Sequence, residues 1–291
     1  MWWLTMTKIL FFPSSLKQIE EVSKLVDGFI LSIDALSINS LFTLDINSIN
    51  DIVNKYNNKE IFVSLNKNMF NSDLDSLEKV LIQLSNINIA GVFYYDISIL
   101  SIVKRLKLNI NLVWSQEHFT TNYLTCNYYH ESGCKYAYLS GEITLKEILQ
   151  IKEKTNIKLI VPIFGYLPMF ASIRHTVNNY LDYFYLKNDS TIKYMVKEEN
   201  KYPIIDNNLG TVAYSSHILN GLDEYLELEK NKIDYVTINS FNIDDEKIKD
   251  VLKIYQNVND DNVCECNNKI NNMFHNLDKG FLYKETIYKV K

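Results

Sequence analysis

Short runs of apolar, β-branched and aromatic residues recur along the chain, with amphipathic stretches between them. The runs fall at 8–12, 28–33, 60–65, 91–95, 111–115, 136–140, 158–164, 211–215 and 235–239, and read as buried strands. The stretches at 16–26, 46–56, 74–87, 97–106, 122–132, 145–154, 220–230 and 245–257 read as helices. Strands buried on both faces that alternate with helices pair in parallel, because each crossover has to pass over a sheet face. About eight such units in roughly 250 residues suit a closed barrel, whereas a doubly wound sheet usually stops at five or six strands. The expected fold class is therefore α/β, a TIM-like (β/α) barrel over residues 7–257.

Local signals agree with this order. Ser72 or Asp73 precedes LDSLEKVLIQL and Thr144 precedes LKEILQIKEK, each an oxygen-bearing residue ahead of an apolar stripe. Gly133 is the expected left-handed residue after the 122–132 helix. The stretch after Gly165 departs from the pattern and reads as an insertion of about 166–210, with a helix over 173–183 and a small antiparallel excursion across 185–212. An insertion after a barrel strand's carboxyl end sits where barrel sites are built. Residues 258–291 open with the linker-like NVNDDN and close with GFLYKETIYKVK, whose alternation predicts a strand or extended C-terminal arm.

Composition narrows the class. With 47% hydrophobic residues the chain is too apolar to be disordered. A net charge of -5 gives no global field drawing it to nucleic acid or an anionic membrane. Cys126, Cys134, Cys264 and Cys266 lack zinc spacing and read as reduced bystanders. The opening MWWLTMTKILFF is too short to span a bilayer and lacks a basic region and a cleavage site, which predicts a cytoplasmic protein with no membrane contact. Translation from Met1 or from Met6 remains open, residues 1–5 reading as an upstream start.

Candidate chemistry falls in two groups. Asp34, Asn66, Asp96, Gln116, Ser140, Glu142 and Ser215 stand at the carboxyl ends of expected strands and form a candidate rim pocket. Ser172, Arg174, His175, Asn179 and Tyr180 fall on one or two turns of the inserted helix, where Arg174 could grip a carboxylate or phosphate and His175 could shuttle protons. A polar helix face with Arg174 in an ion pair is the plainer alternative. No GxSxG or HExxH motif is present, the five histidines show no spacing that selects a catalytic pair, and no catalytic residue is assigned. YLDYFYLKNDSTIKYMVK mixes aromatics with Lys as a nucleic-acid surface does, but equally suits a buried sheet with a solvated edge, which is the reading preferred here.

Several segments together resemble the collagenase-like peptidase family U32. They are FTLDINSINDIVNKYNNKEIFVSLNKNMFNSDLDSLEKVLIQL, WSQEHFTTNYLTCNYYHESGCKYAYLSGEITLKEI, PIFGYLPMFASIRHTVNNYL and GFLYKETIYK, in family order over most of 7–285. The family's iron-sulfur cysteines fall on Pro168 and His175, and the following pair has no counterpart between His175 and Val263. Its late glutamate-glycine-arginine motif falls on Asn239, Ser240 and Phe241. Four thiolates normally hold such a cluster, so the resemblance implies the fold without a metal or other cofactor. Because some members act in prephenate-dependent 5-hydroxylation of the tRNA wobble uridine, and shorter and longer paralogues are often paired, it implies an accessory subunit. The implied partners are a larger, cluster-bearing homologue and tRNA. A collagenase-like peptidase and a non-catalytic scaffold are the alternatives.

Overall fold

A computed structural model describes residues 6–116 and 118–284. The expected upstream start at residues 1–5 and the last part of the arm, 285–291, lie outside these residues.

Seven parallel strands come first: β1 (Lys8–Phe12), β2 (Gly28–Ser32), β3 (Glu60–Leu65), β4 (Gly91–Tyr94), β5 (Leu112–Trp114), β6 (Tyr136–Tyr138) and β7 (Lys158–Gly165). Between them run α1 (Leu16–Val22), α2 (Ile46–Lys55), α3 (Leu74–Leu84), α4 (Ile97–Leu106), α5 (Tyr123–Glu131) and α6 (Leu145–Lys154). The insertion contributes β8 (Pro168–Ser172), α7 (Thr176–Tyr183), β9 (Ile192–Lys197), β10 (Asn200–Asn207) and β11 (Gly210–Tyr214), followed by β12 (Ile218–Asn220) and α8 (Leu222–Lys230). The eighth barrel strand, β13 (Tyr235–Asn239), pairs in parallel with both β1 and β7 and closes the barrel. After it come α9 (Asp245–Asn257), α10 (Val263–Met273) and the short β14 (Leu277–Asp278).

Each barrel strand is buried on both faces. Leu10, Ile30, Phe62, Phe93, Val113, Tyr136, Ile160 and Tyr235 fill the barrel interior, with Phe62 edge-on to Phe93 at 5.6 Å and to Tyr136 at 5.4 Å. The alternate residues, such as Leu31, Val63, Val92, Leu159 and Val161, pack outward beneath helices whose apolar stripes include Ile49, Leu77, Leu81 and Ile148. This double burial is why the strands read as near-continuous apolar runs. Thr144 caps α6 as expected and forms a capping box with Glu147, and Gly133 has φ 96°.

Pro162 has no N–H to give to the ladder, and beside it the register between β7 and β13 shifts, so that Thr237 faces Pro162 but Ile238 faces Phe164. The bulged Ile163 carbonyl accepts the Gly221 N–H at 2.9 Å, which fastens β12 antiparallel to the end of β7. Gly165 follows at φ 118°, where a Cβ would lie 2.5 Å from the Asn239 carbonyl oxygen.

Three expectations change. The 211–215 run is no barrel strand: β11 lies antiparallel between β8 and β10 in a four-stranded sheet ordered β8-β11-β10-β9. The inserted helix starts at Thr176 because residues 168–172 extend as β8. Residues 263–273 form α10, whose two buried residues, Cys266 and Ile270, leave too thin an apolar stripe to announce a helix, and Gly280–Lys284 is a turn where an extended arm was expected.

Candidate functional site

The carboxyl ends of the barrel strands form a mouth floored by Ile30 and Phe93 and walled by Phe12, Ser32, Ser64, Ser115 and Tyr138. The loop Asn39–Phe42, the loop Asn239–Ile243 and the roof residues Pro168, Ile192 and Tyr214 complete a cavity of about 230 Å³. Strand register places the serines: Ser32 is opposite Ser64, which in turn is opposite Phe93. Among the described residues, no Asp, Glu, Lys, Arg or His lines this cavity.

Asn66 holds the mouth loop. Its Oδ1 accepts the N–H groups of Ile38 at 2.7 Å and Asn39 at 3.3 Å, and its Nδ2 donates to Ser64 Oγ at 3.3 Å. The loop in turn carries the roof, since Asn207 Nδ2 donates to the Ile38 carbonyl at 2.9 Å and the Tyr214 hydroxyl to the Asn39 carbonyl at 2.8 Å. Tyr214 stacks on Phe241 with ring centroids 3.8 Å apart.

Two hollows flank the mouth, and Pro168 lines all three. One, of about 160 Å³, includes Asn66, Lys67, Gln116, His118 and Ser172. Lys67 is committed there to Asp73 at 3.0 Å, and the Asp73 carboxyl is held below its ordinary range by the Phe70 N–H and by Lys67. The other, of about 390 Å³, includes His118, Glu142, Ser215, His217, Asp278 and Lys284. His118 Nδ1 lies 3.3 Å from Glu142 Oε1. The Ser215 hydroxyl accepts from the Leu167 N–H at 3.0 Å and donates to the His217 carbonyl at 2.7 Å, so it braces the loop with no base positioned to activate it.

Of the residues singled out from sequence, Asn66, Gln116, Glu142, Ser172 and Ser215 line these cavities. Others serve local structure. Asp34 Oδ1 accepts the Ala35 N–H, Asp96 caps α4 and accepts the Met69 N–H, and the buried Ser140 accepts the Glu142 N–H. The inserted group does not share a helix face: Ser172 ends β8, Arg174 and His175 form a turn, and the exposed Asn179 and Tyr180 lie on α7. Arg174 is exposed and makes no ion pair among the described residues. Reasoning from sequence missed Asp206, whose nearly buried carboxylate accepts from His175 Nδ1 at 2.7 Å and from the Val177 and Asn178 N–H groups at 3.1 Å. It also missed Ser32, Ser64 and Ser115, although a serine recurring at the ends of three strands was a readable signal.

The donor set does not fit an iron-sulfur cluster. Pro168 offers no ligand, His175 is turned onto Asp206, and no group of three or more His, Cys, Asp or Glu suited to a metal occurs among the described residues. Cys126 and Cys134 lie in the layer between barrel and helices, where burial pushes the Cys126 thiol up to about 12 and raises that of Cys134. No helix among the described residues is long and apolar enough to cross a membrane.

Fold and mouth together define a closed (β/α) barrel whose carboxyl-end pocket is roofed by an inserted antiparallel sheet. The chain belongs to peptidase family U32, whose profile matches residues 10–289. It is 27% identical over 250 residues to tRNA hydroxylation protein P2 of Bacillus subtilis, covering 79% of this chain and 81% of that protein. It is also 28% identical over 131 residues to tRNA hydroxylation protein P1 of the same organism, covering 45% of this chain and 31% of that one. The solved structure of a U32 peptidase superposes with a TM-score of 0.54 at 12% identity, covering 81% of this chain and 93% of the other, which supports the fold.

Proposed function

We propose that this protein is a cluster-less subunit of a tRNA hydroxylation system that places a hydroxyl on C5 of the wobble uridine in a prephenate-dependent reaction. The observation carrying this reading is a barrel mouth whose described lining is made of hydroxyls, amides and aromatic rings, with no metal-binding set and no histidine beside its serines. Such a mouth can hold and orient a substrate but needs a second protein for the chemistry. The similarity to two tRNA hydroxylation proteins gives the reaction class.

The partner is a larger family member that retains its cluster cysteines. Half of the exposed large apolar side chains among the described residues fall within 166–210, including Met169, Phe170, Tyr183, Tyr185, Met195 and Val196. A concentration of exposed Tyr, Phe and Met in one inserted segment is what a protein interface presents. The preference for a buried sheet does not fit this roof, because most residues of β9 are exposed and none of the described residues covers them.

The test is deletion of the gene, with mass spectrometry of nucleosides from bulk tRNA. Loss of 5-hydroxyuridine-type nucleosides is expected, and unchanged levels sink the proposal. Purified protein should leave gelatin and casein intact, in keeping with the engaged Ser215 hydroxyl.

A further inference from the structure

We infer that the mouth pocket receives one uncharged, planar heterocyclic ring and holds it without activating it chemically; on the tRNA reading above, on which this rests, the ring is an extruded base. Ser32 and Ser115 are only 7% and 5% exposed and line the cavity, yet among the described residues neither hydroxyl has a hydrogen-bond partner. A serine hydroxyl that opens on a cavity and spends neither its proton nor its lone pairs within the protein is free to donate to and accept from a bound molecule, and two such hydroxyls face this one. Ser64 adds a third hydroxyl, which accepts from Asn66 Nδ2 and keeps its own proton to donate.

Charge then selects the ligand. A carboxylate or phosphate in this pocket would shed water and meet no cation, since Lys67 in the adjoining hollow is already paired with Asp73. A neutral ring with donors and acceptors on its edge meets no such penalty. Phe12, Phe93 and Phe241 supply flat apolar walls, the arrangement by which proteins grip an extruded base between rings while reading its edge. At about 230 Å³ the cavity is smaller than pockets for drug-sized ligands, and suits one ring. Among the described residues the lining holds no acid or base, so the proton and oxygen transfers of any reaction on that ring come from outside the pocket, which assigns the pocket the holding step.

The experiment is saturation-transfer NMR on the full chain with uracil and with orotate, the same ring bearing a carboxylate. Uracil should bind at least tenfold more tightly than orotate, a preference of about 1.4 kcal/mol. In a Ser32→Ala/Ser115→Ala variant, folding checked by its melting curve, uracil affinity should fall by roughly tenfold through loss of two hydrogen bonds. The wild-type comparison stands even if the variant misfolds. Equal or tighter binding of orotate, or no binding of uracil, overturns the inference. Uracil binding with unchanged tRNA hydroxylation in the deletion strain would sink the tRNA reading and leave the pocket assignment intact; the reverse result would do the opposite.

Discussion

Replacing Asn66 with Ala tests whether one amide holds the mouth together. The change removes the acceptor for the Ile38 and Asn39 N–H groups, at 2.7 and 3.3 Å, from a loop that also supports Asn207 and Tyr214 of the roof. A net hydrogen bond contributes about 0.5–1.5 kcal/mol, and a donor left without a partner costs more. The shorter bond belongs to Ile38, only 4% exposed, where water cannot fully substitute; the longer one faces the cavity, where it can. The expected loss is about 2 kcal/mol, or a fall in Tm of roughly 4 °C, read by urea and thermal unfolding. Asn66→Asp is the discriminating control. It keeps an acceptor for both N–H groups, which partly offset the charge it brings into the mouth, and it loses the long donation to Ser64, so it should lose less stability than Asn66→Ala. If Asn66→Ala unfolds within 0.5 kcal/mol of wild type, or if Asn66→Asp falls as far as Asn66→Ala, this account of the loop is wrong.

Other consequences can be checked directly. Gly165→Ala forces a Cβ against the Asn239 carbonyl at φ 118° and should cost about 2 to 4 kcal/mol in a urea titration. Lys279→Ala strips the cation from Asp223 and from the buried Glu224, which it meets at 2.8 and 2.9 Å. Because Lys279 is about one-third exposed, the expected loss is about 1–3 kcal/mol, below that for a fully buried pair, with earlier proteolysis in 277–284. The thiols of Cys126 and Cys134 are raised by burial, so native protein at pH 8 should take one iodoacetamide label, on the exposed Cys264, as seen by peptide mass spectrometry. Linkage has a definite sign: Cys126 keeps its proton to about 12 in the folded chain but loses it near 9 when unfolded. Its contribution is therefore complete below pH 9 and is lost as pH rises toward 12, and Cys126→Ala should flatten the alkaline fall in stability.

The order of strands and helices was legible because burial on both faces writes each barrel strand as a run such as GFILS or KLIVPIFG, and because each covering helix carries an apolar stripe. The closed parallel barrel expected from that alternation is the one found, with family U32 as its membership. The insertion was legible only as an interruption. The strand at 211–215 looked like any other apolar run, since a run records burial and not the partner or its direction; antiparallel pairing with β8 and β10 decided its place. α10 escaped notice because VCECNNKINNM buries only Cys266 and Ile270.

The site divides the same way. Polar residues at strand ends could be named from the chain, but whether each faces the cavity or caps its own loop depends on angles no local pattern records. Asp96 turned to the start of α4 while Asn66 turned to the mouth loop. Asp206 meets His175 across 31 residues, a contact made by the hairpin that brings β10 beside α7. The sequence by itself determined which segments must leave water, and hence the layers. Only the tertiary structure decided that three serines would share one uncharged cavity, because that depends on strand register around a closed ring.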